Sequence, residues 1–132
     1  MAAPFRRHCE IHGPYAAARA RAEVHRLAQE AWLAGGTVEQ TVEDDAVLVV
    51  SELVGNAVRH AGGACSLDLA FGPAGIDIDV SDPNPEPPRP RSIETTSEGG
   101  RGWGIVSRLT SELTVQGDQR GKTVHAHIDL GS

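Results

Sequence analysis

Glu52 and Asn56 stand four residues apart in Ser51-Glu52-Leu53-Val54-Gly55-Asn56-Ala57-Val58-Arg59-His60. On a helix that spacing stacks them on one face. The core face lies elsewhere. Ala46, Val49, Val50, Leu53, Val54, Ala57 and Ala61 recur at helical spacing and form an apolar stripe. Glu52 and Asn56, with Asp45 and Arg59, project off it. A carboxylate beside a neutral amide oxygen suits a hard cation. Mg²⁺ takes oxygen ligands and keeps several waters, so one Asn carbonyl plus substrate phosphates suffices. The Glu is then free to orient or deprotonate a nucleophile. An isolated E-x-x-x-N is also what an ordinary solvated helix face carries, so its meaning depends on its company in the rest of the chain.

Two further features stand C-terminal to this helix. Asp82 ends an alternating segment and faces a long loop. A strand-end carboxylate can accept a hydrogen bond from an amino group, or simply start a turn. Gly99-Gly100-Arg101-Gly102-Trp103-Gly104 opens a predicted helix. Glycines let backbone N–H groups approach an anion, and a helix N-terminus favours negative charge. The same string also reads as a flexible linker. It lacks the G-x-x-x-x-G-K-[ST] of a Walker loop. A proline-rich loop stands where a dinucleotide fingerprint needs a strand.

Periodicity gives the elements that must position these residues. Arg6 to Ile11 suggests a short first strand. Tyr15 to Leu33 suggests a helix with Ala20, Val24, Leu27, Ala28 and Ala31 inward, ended by Gly35-Gly36. Thr37 with Gln40, or Thr41 with Asp44, is placed to cap the next helix, which runs to about Ala61. Ser66–Phe71 and Ile76–Val80 alternate polar and apolar around Gly72-Pro73-Ala74-Gly75, as a hairpin does. Asp82 to Gly102 is too rich in proline and glycine for regular structure. Loops of that length inside a compact domain are usually functional or disordered. A helix over Trp103–Leu109 and a hairpin of Glu112–Gln116 with Thr123–Leu130 close the chain. This order predicts a two-layer α/β sandwich with a mixed or antiparallel sheet and helices on one face.

Composition sets the class. The 132 residues suit one domain, 1–132, with a single core. Aromatics are 4%, so the core must be aliphatic. The net charge of -6 argues against a nucleic-acid surface, which needs clustered Lys and Arg. Lys122 is the sole lysine. Cys9 and Cys65 imply no disulfide framework. No apolar run is long enough to span a membrane, and no h-region follows Met1–Arg7, so a cytoplasmic location with reduced thiols is expected.

Other residues carry less. His8-Cys9-Glu10-Ile11-His12 holds potential metal ligands, and His125 and His127 alternate on a late strand. Structural zinc shows tighter paired spacing, so exposed strand faces are expected instead. No Ser/His/Asp or Cys/His nucleophile pattern stands out. Trp32 and Trp103 are expected to pack.

Taken in order, a Glu/Asn helix, a strand ending in Asp and a long lid with a glycine-rich end resemble the GHKL, or Bergerat-fold, ATPase superfamily. The resemblance is strongest to its single-domain branch, the anti-sigma regulatory factors with serine/threonine kinase activity. It covers roughly residues 15 to 130. Ser51–Ala61 resembles the N box, Ser81-Asp82-Pro83-Asn84-Pro85 occupies the G1 position, Gly99–Val106 resembles the G2 box, and Gly121-Lys122-Thr123-Val124 the final strand. The resemblance implies ATP and Mg²⁺ as cofactors. Asn56 would ligate Mg²⁺ and Glu52 would be catalytic, acting on the attacking hydroxyl or water. Asp82 would bind the adenine amino group, joined by Thr123 through a bridging water. Gly100, Gly102 and Gly104 would wrap the phosphates, with Arg101 a candidate phosphate contact. The lid would span about 83–102.

The superfamily has Asp-x-Gly in the G1 box; here Asn84 replaces the glycine, and Asn is the next-best residue for positive φ. A separate phosphoacceptor helix is not found, which sets a complete histidine kinase aside, and His60 is expected to pack rather than be phosphorylated. The implied function is phosphorylation of a Ser or Thr on an anti-sigma-factor antagonist protein. Sequestering a sigma factor and forming a homodimer fit the same resemblance. The rivals are a nucleotide-binding interaction module without turnover and an ATP-hydrolysing domain of a larger assembly.

Overall fold

The computed structural model describes residues 5–60, 63–84 and 98–130, and for His60 and residues 98–102 the backbone alone. Ala61, the 85–97 part of the expected lid and the side chains of His60 and Arg101 lie outside the described residues. The order is β1 (Phe5–His12), α1 (Ala16–Leu33), α2 (Gln40–His60), β2 (Ala64–Gly72), β3 (Gly75–Asp82), α3 (Glu98–Leu109), β4 (Glu112–Asp118) and β5 (Gly121–Asp129). The five strands form one sheet, β1-β2-β3-β5-β4, and every neighbouring pair is antiparallel. Both α1 and α2 pack on it, and α3 packs against α2. The two-layer α/β sandwich is therefore the fold, with an antiparallel sheet.

Alternation decides which side of each strand meets the helices. Cys65, Leu67, Leu69 and Phe71 of β2, Ile76, Ile78 and Val80 of β3, and Val124, Ala126 and Ile128 of β5 are buried. They meet the predicted stripe of α2, whose Ala46, Val49, Val50, Leu53, Val54 and Ala57 are all buried. On the other side of the sheet, His8, Asp68, Asp79 and His125 stand in register across four strands.

Helix ends show their local causes. Gly35, at φ +89°, lets Gly36 donate to the Ala31 carbonyl at 2.8 Å while its own N–H reaches Trp32 at 3.0 Å. That is a Schellman close, which a left-handed glycine permits. Gly63 closes α2 by donating to the Val58 carbonyl at 3.1 Å. The start of α2 differs from expectation. Glu43 donates to the Glu39 carbonyl at 3.0 Å, so the first turn begins between Thr37 and Thr41, and neither threonine stands at the cap position.

Two other expectations are corrected, and α1 carries a buried charge that periodicity does not indicate. Trp32 is 68% exposed, because it falls one residue past Ala31 and off the stripe of α1. Glu23 is buried on that stripe, held by Arg7 Nε at 2.7 Å and Arg26 Nη1 at 3.0 Å. The glycines after Glu98 form the first turns of α3 rather than preceding it. Glycine costs a helix roughly 1 kcal/mol relative to alanine. Val106 is buried, with Trp103 and Leu109 packed on the core, so tertiary packing overrides that preference.

Among the described residues no helix is long and apolar enough to cross a membrane. Cys9 and Cys65 are buried and free.

Candidate functional site

The site begins on α2. Glu52 and Asn56 are half-buried, one turn apart, beside the buried Leu53 and Ala57. Glu52 bonds no described residue. Asn56 Oδ1, the oxygen assigned to a metal, accepts from Arg59 Nη2 at 2.5 Å. Ser51 fixes this stretch of helix. Its hydroxyl donates to the Val47 carbonyl at 2.7 Å and accepts from Arg21 Nη1 of α1 at 3.3 Å. Because α2 packs on β3 and on α3, the Glu/Asn pair, the strand-end Asp82 and the glycine-rich helix lie on adjoining elements.

Asp82 is the last residue of β3 and points to the helix side of the sheet, where it is buried. Its Oδ1 accepts from the Asn84 N–H at 2.8 Å, an Asx turn. Asn84 does not adopt positive φ; the turn is made by this side-chain bond instead. Lys122 Nζ donates to the same Oδ1 at 3.0 Å and to the Asn84 carbonyl at 3.1 Å.

Thr123 is not beside Asp82. In the β3–β5 register Asp82 faces Lys122, and Ser81 faces Thr123. The Ser81 and Thr123 hydroxyls bond each other at 2.7 Å on the opposite side of the sheet. Successive strand residues point to opposite faces, so the expected Asp82–Thr123 partnership is corrected to Asp82–Lys122. The signal for Lys122 was present in the sequence: it shares parity with Val124, Ala126 and Ile128.

The glycine-rich residues have a helical backbone. Gly100 lies in the first turn of α3, where N–H groups lack intrahelical partners, and Gly102 lies one turn in. Gly104 has open space where a side chain would be. Trp103 is half-buried against the core.

Other potential chemistry is absorbed elsewhere. Cys65 has its thiol pushed up to about 11, by burial first and then by the Asp82 charge, so it stays protonated and unreactive near neutral pH. His8, Glu10 and His12 lie exposed on β1. His125 Nδ1 bonds Asp79 at 2.6 Å, and His127 Nδ1 bonds Asp77 at 2.7 Å, on the open side of the sheet. Among the described residues no group of three or more His, Cys, Asp or Glu is arranged to hold a metal ion.

No curated protein matches the chain. Among solved structures it is similar to the RsbU and RsbW domains of Rv1364c from Mycobacterium tuberculosis. The TM-score is 0.67 at 21% identity, covering 95% of this chain and 32% of that one. It is also similar to the histidine kinase domain of a blue-light activated histidine kinase from Erythrobacter litoralis EL346. There the TM-score is 0.56 at 21% identity, covering 83% of this chain and 60% of that one. The chain thus spans less than two thirds of either structure, and at this identity the likeness is one of fold. The family model for the histidine kinase-like ATPase domain matches residues 15–128, and the chain belongs to that family.

Proposed function

We propose that this domain binds ATP with Mg²⁺ and transfers the terminal phosphoryl group to a Ser or Thr of a small anti-sigma-factor antagonist protein. On this reading a sigma factor is a second partner. The observation that carries the proposal is the buried Asp82 at the end of β3, beside the helix that presents Glu52 and Asn56 one turn apart.

The donor chemistry fits both cofactors. Asp82 offers a carboxylate acceptor for a base amino group. Asn56 Oδ1 is a hard neutral oxygen of the kind Mg²⁺ takes; its present donor, Arg59, is exposed and free to turn away. Mg²⁺, when bound, neutralises phosphate charge. Glu52 has no competing described partner and is available to orient the acceptor hydroxyl and take its proton. The hydroxyl oxygen bonds the γ-phosphorus as the bond to the bridging oxygen breaks and ADP leaves. Such transfer depends on positioning and charge stabilisation. The N–H groups opening α3 suit the phosphates.

Calorimetry with ATP·Mg²⁺ on wild type and Asp82→Asn tests the binding step. Losing a charge-assisted hydrogen bond to the base weakens affinity by about 10- to 150-fold. Equal affinity in the two proteins would defeat the assignment. Transfer of label from γ-³²P-ATP to a co-purified partner tests the kinase step. Binding without transfer to any partner would leave an interaction module that uses nucleotide as a ligand.

A further inference from the structure

The chain's sole lysine is buried at the point where a nucleotide base would be read. Strand register places it there: Lys122 pairs with Asp82 and shares its side of the sheet. The two side chains are only 4% and 2% exposed, and Nζ lies 3.0 Å from Asp82 Oδ1. A lysine is almost never buried this far unless paired. Here it is paired with the residue assigned to the base, so it cannot be separated from base recognition.

The bonding leaves a particular donor and acceptor. Oδ1 of Asp82 accepts from Lys122 Nζ and from the Asn84 N–H. Among the described residues Oδ2 accepts from nothing. The ammonium has three hydrogens. Two point to Asp82 and to the Asn84 carbonyl, 3.1 Å away. The third donates to no described residue. An acceptor and a strong donor therefore stand side by side. Both residues also border an open depression of about 470 Å³ at this end of the sheet, with Ser81, Thr123 and Gln116.

A lone carboxylate reads a 6-amino purine and rejects a 6-oxo purine, because two acceptors would then face each other. A site built for one hydrogen-bonding pattern discriminates strongly against its opposite. A lysine removes that rejection. With adenine, the amino group donates to Asp82 and ring N1 accepts from Lys122. With guanine, O6 accepts from Lys122 and the N1–H donates to Asp82. The four-carbon stem and rotatable donors of lysine allow both.

We propose that Lys122 makes this a purine-nucleotide site, taking GTP as well as ATP. The inference rests on the proposed nucleotide site at Asp82 and specifies its ligand class.

Calorimetry with ATP·Mg²⁺ and GTP·Mg²⁺ on wild type, Lys122→Arg and Lys122→Met tests it. Wild type should bind the two within about tenfold of each other, well short of the discrimination of a site that reads only one pattern. Lys122→Arg keeps the donor and should keep that ratio. Lys122→Met should lose GTP at least tenfold more than ATP, since guanine O6 then has no donor to face, while the adenine amino group keeps its acceptor on Asp82. That ratio does not move if Lys122 merely supports the fold, because both ligands are measured on the same protein. Wild type binding ATP but GTP more than about a hundredfold more weakly would overturn this inference alone. So would an unchanged ratio in Lys122→Met. Should Lys122→Met fail to fold, the wild-type and Lys122→Arg ratios still decide. Binding of neither nucleotide to wild type would overturn the nucleotide site and this inference with it.

Discussion

A Cβ on Gly121 would stand 2.2 Å from the carbonyl oxygen of Asp82 and 3.0 Å from Pro83 Cα. The start of β5 thus presses on the end of β3 where the candidate base-reading carboxylate begins its turn. Gly121 does not have positive φ, so the requirement is for space alone. Two effects of Gly121→Ala then compete. Reduced freedom of the unfolded chain stabilises by about 0.4–1 kcal/mol. Forcing the strands apart costs about 1–3 kcal/mol. The obstacle is backbone, which cannot swing away, so the cost should win. Urea denaturation should show a lower midpoint with unchanged slope. A variant as stable as wild type would contradict the close approach.

The Asp82–Lys122 pair makes a second prediction. Breaking a buried ion pair leaves one charge unpaired and typically costs about 3–5 kcal/mol. Asp82→Asn and Lys122→Met should each destabilise on that scale. The double variant has no stranded charge, so it should lose clearly less than the sum of the two. A double-mutant cycle by chemical denaturation measures this coupling. Additive losses would mean that the 3.0 Å contact contributes nothing specific.

Much of this architecture is legible in the sequence because helix and strand periods differ. The stripe Ala46–Ala57 and the alternation in Ser66–Phe71 and Ile76–Val80 locate α2 and the central hairpin, and Gly72-Pro73-Ala74-Gly75 between the two alternating segments marks the turn. The departures have local reasons. Motif position assigns Thr123 to Asp82, yet a one-residue offset on a strand moves a side chain to the other face. Glu23 interrupts the stripe of α1 as a buried charge, and its Arg7 partner is distant in sequence, so no local pattern announces it. Trp32 is apolar by type but exposed by position. The start of α3 depends on packing by Trp103 and Val106, which outweighs the glycines before them. Of the candidate site, the residue types on α2 and at Asp82 are readable; the lysine beside Asp82 needs the strand register.

Glu52 and Asn56 should separate chemistry from binding. Glu52→Ala should keep ATP·Mg²⁺ affinity and lose about 10²- to 10⁴-fold in turnover, the usual contribution of a positioned general base. Asn56→Ala should weaken the Mg²⁺-dependent part of binding itself. Parallel calorimetry and label-transfer assays distinguish the two. Wild-type turnover in Glu52→Ala would remove it from the mechanism.

The open side of the sheet predicts a pH dependence. Burial lowers the proton affinity of His127. The hydrogen bonds to Asp77 and to the Ala74 carbonyl, with the charges of Asp77 and Asp129, outweigh it and hold the pKa above its ordinary value. His8 is raised as well, by its bonds to Asp68 and Glu10. A raised folded-state pKa means that the folded protein binds the proton more tightly than the unfolded chain. The resulting stabilisation is fully present below the unfolded value, about 6.5, and is lost as pH rises through the folded value. Melting temperature should therefore fall across that window as these imidazoliums deprotonate. Asp77→Asn removes the partner 2.7 Å from His127 Nδ1 and one 3.6 Å from His125 Nε2. It should lower the His127 pKa and flatten that part of the profile, while the His8 titration stays in place. An NMR titration of the imidazole carbons reads each histidine separately. A His127 midpoint unmoved by Asp77→Asn would show that Asp77 is not what holds the proton.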